Sequence, residues 1–405
     1  MELNNDQYVL KVELLPQTPM AHFQYDQLGA VLRASEVKPR LDKFLEKKIA
    51  KLNYSKDNLN SWRIPGSDAF DYKMRIYADG KEDEMIEIKN MDNKAEEIEK
   101  SGIDKLCWGS ADNIISRSCI IKIICFHSKL LTLIEEYIDE FFITYNFGSL
   151  QNKGFGSFVT NKSKLYNCNE KLSDRQIEQI GRILKNNYDV TNYYYAKVND
   201  FFDAFDFIHK FYSKMKSGKV DKQGNAKKDV MNLRIFVDNA LENTDYLDEY
   251  DVIKRLVNNE NVLEKSMKFY IGVLLGMSNY IECEKDNDDS HGLYQFEITN
   301  DKIQRYKSPI YFKYIKGVVF ILARNTFNQL KEQTQTFTFT FMGVKDSTKD
   351  KLKIDPFELS IPEGIHFNID DFIEQYVNNF NNREREKSEK SDEYIKYNVQ
   401  KGAKK

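Results

Sequence analysis

The residue types best suited to chemistry lie in 146–157, where Gly148, Gly154 and Gly156 surround one cation in the run Gln151, Asn152, Lys153, Gly154, Phe155, Gly156. Glycine tolerates positive φ and lets backbone approach a ligand, so exposed N–H groups beside the Lys153 ammonium suit a phosphate. The spacing is neither G-x-x-x-x-G-K-[ST] nor G-x-G-x-x-G, because no Lys-Ser or Lys-Thr pair follows the second glycine. A nucleoside triphosphate site is therefore disfavoured. A glycine-rich turn leading into a strand accounts for the same residues, and composition favours that plainer reading. Of the five histidines (His22, His127, His209, His291, His366), only His22, in the loop after the first strand, suits a general base for an RNA 2′-hydroxyl. A structural or RNA-contacting role is the stronger expectation for it. No H-x-x-x-H or acid–histidine pair gives metal spacing, and no G-x-S-x-G occurs. The five cysteines form no C-x-x-C pair, so neither a zinc site nor a disulfide framework is expected, and no cofactor is implied.

The chain has 405 residues and a formal charge of −3, from 60 basic and 63 acidic residues. That balance argues against a non-specific basic coat, but it is an average. Residues 29–56 carry eight cations (Arg33, Lys38, Arg40, Lys43, Lys47, Lys48, Lys51, Lys56) against three acids, a local +5. Residues 302–316 carry Lys302, Arg305, Lys307, Lys313 and Lys316 with no acid, also +5, and 214–228 carries six cations against Asp221. Acidic segments such as 81–100 conceal these windows in the total. Separated basic patches are enough to hold a single RNA strand, since each phosphate neutralised releases counterions. For 43–56, where both signs intermix, a solvated helix face explains the charges equally well. Tyr193, Tyr194 and Tyr195, and Tyr306, Tyr311 and Tyr314 near basic residues, are candidates to stack bases, although most of the aromatic residues must be core.

The elements that position these residues follow from periodicity. Leu10, Val12 and Leu14 alternate with Lys11 and Glu13, the pattern of a half-buried strand. Val37, Leu41, Phe44, Leu45, Ile49 and Leu52 recur at helical spacing behind Ser35 as N-cap, with Pro39 near the first turn. A hairpin is predicted from 72–78 and 85–89, a strand over 117–126, a helix over 128–145 and a short strand over 155–160. Strand, helix, two strands, helix, strand is the order of a ferredoxin-like split βαβ unit, so the fold class expected is α+β. Ser173 and Gln176 form a capping box ahead of a further helix. Helical segments follow around 198–213, 226–243 and 262–276, then strands over 294–298, 310–315, 318–323 and 336–341, and a last helix over 369–380. The expected division is 1–165 as the ferredoxin-like domain with the glycine-rich loop, 166–285 mainly helical, 286–382 a second α+β part, and 383–405 a charged, frayed tail. With apolar runs too short to cross a bilayer and no signal segment, a cytoplasmic protein without membrane partners is expected. No internal repeat of 20–50 residues is apparent.

Several pieces together resemble the RAMP superfamily of CRISPR-associated RNA-binding proteins, and within it the family supplying the first subunit of Cmr-type (type III-B) effector complexes. They are Thr18, Pro19 and Met20 after the first strand; Gly29, Arg33, Ser35 and Lys38 entering the first helix; Trp108, Gly109 and Ser110, followed by Ser116 and Arg117; the loop from Gln151 to Ser157; and Arg305, Ser308, Pro309 and Lys313 in the second half. The likeness covers 8–160 well and 290–345 thinly. Two departures stand out: the family's Arg-rich, Gly-rich loop keeps only Lys153 here, and the Gly pair after Thr-Pro is Met20 and Ala21.

The resemblance implies a ferredoxin-like, RRM-related domain and a non-catalytic subunit of a type III ribonucleoprotein. Its implied partners are guide CRISPR RNA, near the 3′ portion, target RNA and neighbouring RAMP subunits. Carried onto this sequence, the resemblance places RNA contacts at His22, Arg33, Ser35, Lys38, Ser110, Arg117, Asn152, Lys153, Gly154, Phe155 and Gly156. Two other functions compete. One is a metal-independent endoribonuclease that processes guide precursor with His22 as base; the other is a helical adaptor that touches no RNA.

Overall fold

The computed structural model describes residues 5–21, 32–52, 56–78, 114–115, 118–163, 171–216, 232–241, 245–260, 262, 267–284, 293–304, 306–334, 336–345, 352–362, 367–391 and 397–403. In chain order the elements are β1 (Val9–Pro16), β2 (Met20–Ala21), α1 (Ala34–Lys51), α2 (Lys56–Ser61), β3 (Lys73–Ala78), β4 (Ile114–Ile115), β5 (Cys119–Ile124), α3 (Ser128–Thr144), β6 (Phe158–Thr160), α4 (Asp174–Tyr188), β7 (Tyr193–Lys197) and α5 (Phe201–Lys216). There follow α6 (Leu233–Ala240), β8 (Tyr246–Asp248), α7 (Glu249–Val257), β9 (Met267–Phe269), β10 (Tyr280–Glu284), β11 (Leu293–Thr299), β12 (Ile310–Ile315), β13 (Val318–Ala323), α8 (Phe327–Gln333), β14 (Thr336–Lys345), β15 (Phe357–Ser360), α9 (Ile369–Ser391) and β16 (Val399–Lys401). The chain is α+β and divides into two compact units, each discontinuous in sequence. The first comprises Met1–Lys210, Tyr311–Leu322 and Lys396–Lys405; the second comprises Phe211–Ile310 and Ala323–Ile395.

In the first unit one four-stranded sheet runs β3-β5-β1-β6, with every neighbouring pair antiparallel. Alternation along the strands turns Leu10, Val12, Leu14, Ile121 and Ile123 to one face, where Val37, Leu41, Phe44 and Leu45 of α1 and Ile134, Ile138 and Phe141 of α3 cover them. A second four-stranded sheet runs β12-β13-β7-β16. It has the same strand logic: in each set the first strand lies between the third and fourth, and the second forms the edge. The β12–β13 hairpin turns on Lys316 and Gly317, both at positive φ (45° and 80°), as a two-residue type I′ turn requires. Its core joins Ile315, Val318, Phe320 and Leu322 to Ile177, Ile180 and Leu184 of α4.

The second unit carries a mixed six-stranded sheet, β10-β11-β14-β15-β9-β8. Phe337, Phe339, Phe296, Tyr294 and Leu359 face its core with Val252 and Ile253 of α7. The other face presents Glu282, Gln295, Glu297, Thr338, Thr340 and Glu358.

Several expectations are corrected. The N-cap of α1 is Arg33, not Ser35, which is exposed in the first turn; Leu52 is 45% exposed rather than core. Pro39 therefore lies inside α1, where it omits one intrahelical hydrogen bond. The helix expected over 262–276 is instead β9 followed by a 3-10 turn, Gly272–Leu275, because Gly272 and Gly276 interrupt an apolar run too short to distinguish helix from strand. The tail does not fray at residue 383: α9 continues to Ser391, and Val399–Lys401 pair with β7 as β16. The expected strand over 85–89 lies outside the described residues.

The carboxylate of Glu249, buried in the second unit, accepts hydrogen bonds from Ile271 and Gly272 N–H, both at 2.9 Å. Burial first, and then the neighbouring Asp248, push its pKa up to about 8. The native state thus binds a proton that the unfolded chain releases above its ordinary value of 4.5, so this group's contribution to stability falls as pH rises from 4.5 to about 8. Chemical denaturation across that range should show Glu249→Gln gaining on the wild type as pH rises; parallel curves would contradict it.

Candidate nucleic-acid interface

The glycine-rich loop is tied to the segment after β1. Gly156 N–H donates to Pro19 O (2.8 Å), Gln17 N–H to Ser157 O (2.8 Å), Ser149 N–H to Ala21 O (2.7 Å), and Phe147 N–H to Gly156 O (2.9 Å). The Thr18 hydroxyl donates to Gly154 O (2.7 Å) and accepts from Ser157 N–H (2.9 Å), which makes it the central pin of the knot. The glycines are steric requirements. At Gly156 (φ +71°) a Cβ would lie 1.9 Å from Phe147 O, and at Gly148 (φ +80°) 2.6 Å from Ala21 O.

Strand β12 closes the other side. Asn146, fully buried, donates through Nδ2 to Gln151 O (2.8 Å) and Phe312 O (2.9 Å), and its N–H donates to the Tyr311 hydroxyl (2.7 Å). Phe312 N–H donates to Asn152 O (3.0 Å), and Lys153 pairs with Phe312 in a parallel bridge. At the next residue along the same strand, the fully buried Lys313 amine donates to Phe142 O and Tyr145 O, both at 2.8 Å. Those carbonyls belong to the C-terminal end of α3, where a helix leaves acceptors without intrahelical partners and carries partial negative charge. Tyr311 donates to Thr144 O (3.2 Å), and Arg40 of α1 donates to Asn146 O (2.9 Å) with its guanidinium over the Tyr145 and Phe147 rings. Burial, and secondarily the Arg40 charge, hold the Lys313 amine well below the usual lysine range.

This arrangement sorts the sequence-derived residues. Phe155 is fully buried, its ring 4.3 Å from that of Phe205, so it cannot stack a base. Gly154 and Gly156 are buried, and the N–H groups of Lys153, Gly154, Gly156 and Ser157 all donate within the protein. The loop is therefore not a phosphate nest, and the plainer reading of a turn into β6 holds for its backbone. Lys38 is also occupied internally: its ammonium bonds Asp42 (2.9 Å) and Phe70 O (2.8 Å) and lies over the Tyr72 ring. The window 302–316 loses Lys313 to the interior, and Tyr193, Tyr194, Tyr311 and Tyr314 are buried rather than available for stacking. His22, Ser110, Arg117 and Arg305 lie outside the described residues. What remains at the surface is Arg33 at the start of α1, exposed Ser35, and the half-exposed side chains of Gln151, Asn152 and Lys153. Glu36 joins the two stretches, accepting from Gly148 N–H (3.0 Å) and the Gln151 amide (3.4 Å).

Sequence reasoning missed Asn146 and Arg40 and misassigned Lys313. The available signal was a lone lysine inside a strand whose other residues are apolar or aromatic, a place where a lysine is tolerated only if its amine finds hydrogen-bond acceptors. Among the described residues no cluster of His, Cys, Asp or Glu could hold a metal, and no helix is long and apolar enough to cross a membrane.

A family model described as the Cmr1 N-terminal domain matches residues 7–219, and another, described as the Cmr1 C-terminal domain, matches residues 206–401. Among solved structures, the crystal structure of Cmr1 from Pyrococcus furiosus in its apo form matches with 10% sequence identity and a TM-score of 0.39, covering 79% of this chain and 89% of that one. No curated protein matches.

Replacing Lys313 by Met should destabilise the first unit by about 1–3 kcal/mol, because the Phe142 and Tyr145 carbonyls lose their donor. The sign of the pH effect is set by the lowered native pKa: the unfolded chain binds the extra proton, so stability rises with pH towards the ordinary value of 10.5. Thermal melts should show this alkaline gain in the wild type and not in Lys313→Met. In the same assay Gly156→Ala should prevent folding of the knot or lower its melting point sharply, since the clash is with backbone.

Proposed function

The chain belongs to the Cmr1 family, CRISPR-associated subunits of the type III-B Cmr complex, and from that premise we propose that it is a non-catalytic subunit that holds RNA and docks on neighbouring subunits. The observation that carries this reading is the contrast within the glycine loop. Its backbone is satisfied internally and rigidly pinned, while the side chains of Gln151, Asn152 and Lys153 stay half-exposed, with Arg33 and Ser35 at the mouth of a helix that Glu36 ties to the same loop. A pinned loop presents its cation at little entropic cost, which suits backbone contacts that position RNA without reading its sequence.

The strand order β3-β5-β1-β6, with α1 and α3 as the two crossovers, supports the ferredoxin-like reading of the N-terminal domain. The guide RNA, especially its 3′ portion, is the partner that the family likeness favours, with target RNA alongside it. Ser110, Arg117 and His22 enter this proposal only through the resemblance. Among the described histidines, His127 faces Asp71 at 3.7 Å beside the Cys125 thiol, which donates to His127 O (3.5 Å) and whose pKa burial raises, and nothing in the described site favours the nuclease.

Fluorescence anisotropy with a labelled guide-like RNA should show Arg33→Ala with Lys153→Ala weakening binding about tenfold and reducing the salt slope by about 1.4, two single-strand phosphate contacts' worth. Unchanged affinity and slope would contradict the placement.

A further inference from the structure

One surface of the first unit has no place in the loop-centred site. The helices cover one face of the β3-β5-β1-β6 sheet; the alternate residues point to the other. Register aligns those residues in rows. Lys11 of β1 lies opposite Lys122 of β5, and Lys122 lies opposite Arg75 of β3, so three cations stand side by side across three strands. The next row, about 6.7 Å away along the strands, holds Val9, Ile124 and Lys73, and the row on the other side holds Glu13, Ile120 and Tyr77. Lys11, Lys73 and Arg75 are exposed and Lys122 is half-exposed. Among the described residues, none of these four cations is in an ion pair. The acids nearby stand at the corners: Glu13 in the Tyr77 row, and Asp71, which faces His127 at 3.7 Å.

Like charges directly opposite one another on a sheet are destabilising, so a row of three is held against its own repulsion unless an anion lies across it. The face also offers what a nucleic acid needs besides charge. Phe126, just past β5, is 76% exposed, and Tyr77 at the opposite end of the rows is 43% exposed. Large exposed aromatics flanking a cationic row match bases that stack and phosphates that pair, on a sheet built like those that bind single strands. The outer sheet face of the second unit shows the opposite character, with Glu282, Glu297 and Glu358 among threonines. It would repel the same ligand.

We propose that the open face of the N-terminal sheet, with Lys11, Lys122, Arg75 and Lys73 on the backbone and Tyr77 and Phe126 on the bases, is a second binding surface for single-stranded RNA, distinct from the Arg33–Lys153 site. It rests on the reading of the subunit as an RNA holder and adds where a strand lies.

The test uses the full chain and a fluorescein-labelled single-stranded RNA of mixed sequence, with affinity measured across a salt series. Lys11→Gln, Lys122→Gln and Arg75→Gln combined should weaken binding at least about tenfold and reduce the salt slope by about two, for three single-strand contacts. Its melting temperature should be unchanged or raised, because the repulsion is gone. Tyr77→Ala with Phe126→Ala, two exposed positions, should weaken binding roughly tenfold with the salt slope intact, and it serves if the charge variant misfolds. Unchanged affinity in both variants, while Arg33→Ala with Lys153→Ala still weakens binding, overturns this surface alone. Charge-variant chains that bind RNA normally but drop out of the assembled complex would mean that the face takes an acidic protein, which also overturns it. A wild-type chain that binds no RNA would overturn both this surface and the RNA-holding function.

Discussion

The interaction on which the first unit depends is the meeting of β12 with the end of α3. A helix terminus leaves carbonyls without partners, and burying them without donors is costly. Here the donors come from Lys313, Tyr311 and Arg40, none of them near α3 in sequence. Lys313 is fully buried at that end, where the helix dipole favours a cation, and its two carbonyl bonds make the burial tolerable. Asn146 sits at the same junction, joined to both the glycine loop and β12. The loop's shape follows: with Asn146 fixed at one end and Thr18 pinning the other, the chain between must turn tightly enough that only glycine fits at 148 and 156.

Charge acquires its meaning from that packing. Windows of +5 in the sequence dissolve partly into internal pairs, since Lys38 serves Asp42, Lys48 serves Glu140, and Lys313 serves carbonyls. The net charge of −3 likewise separates into surfaces of opposite sign: a cationic row on one sheet and a glutamate-bearing face on another. The RNA-holding role proposed for this chain calls for that separation, because phosphate contacts require local rather than total charge.

Local pattern was legible wherever one residue decided the matter. The alternation of Leu10, Val12 and Leu14, the capping box of Ser173 and Gln176, and the strand expected over 336–341 all reappear as elements. Long-range pairing was not legible. β16 joins β7 across some two hundred residues, and the six-stranded sheet interrupts the first unit, which no window of sequence reveals. The same limit explains the site. Lysines in 29–56 and 302–316 look alike by count, yet whether a lysine faces solvent or a helix end is decided by strands that meet only in three dimensions. Phe155 stood among the RNA contacts that the resemblance implies, and its burial was hidden for the same reason: nothing local shows Phe205 arriving against it. Arg75, Lys122 and Lys11 escaped notice because each is unremarkable in its own strand and they become a row only through register.

The central claim is that this chain holds RNA through cationic surfaces displayed by a rigid first unit. Photocrosslinking of the assembled Cmr complex to its RNA, followed by mass spectrometric mapping of crosslinked peptides, tests it most directly. The account predicts crosslinks in peptides spanning 33–35, 151–153, 73–77 and 122–126. Crosslinks confined to the glutamate-bearing sheet face of the second unit, or none to this chain, would contradict it.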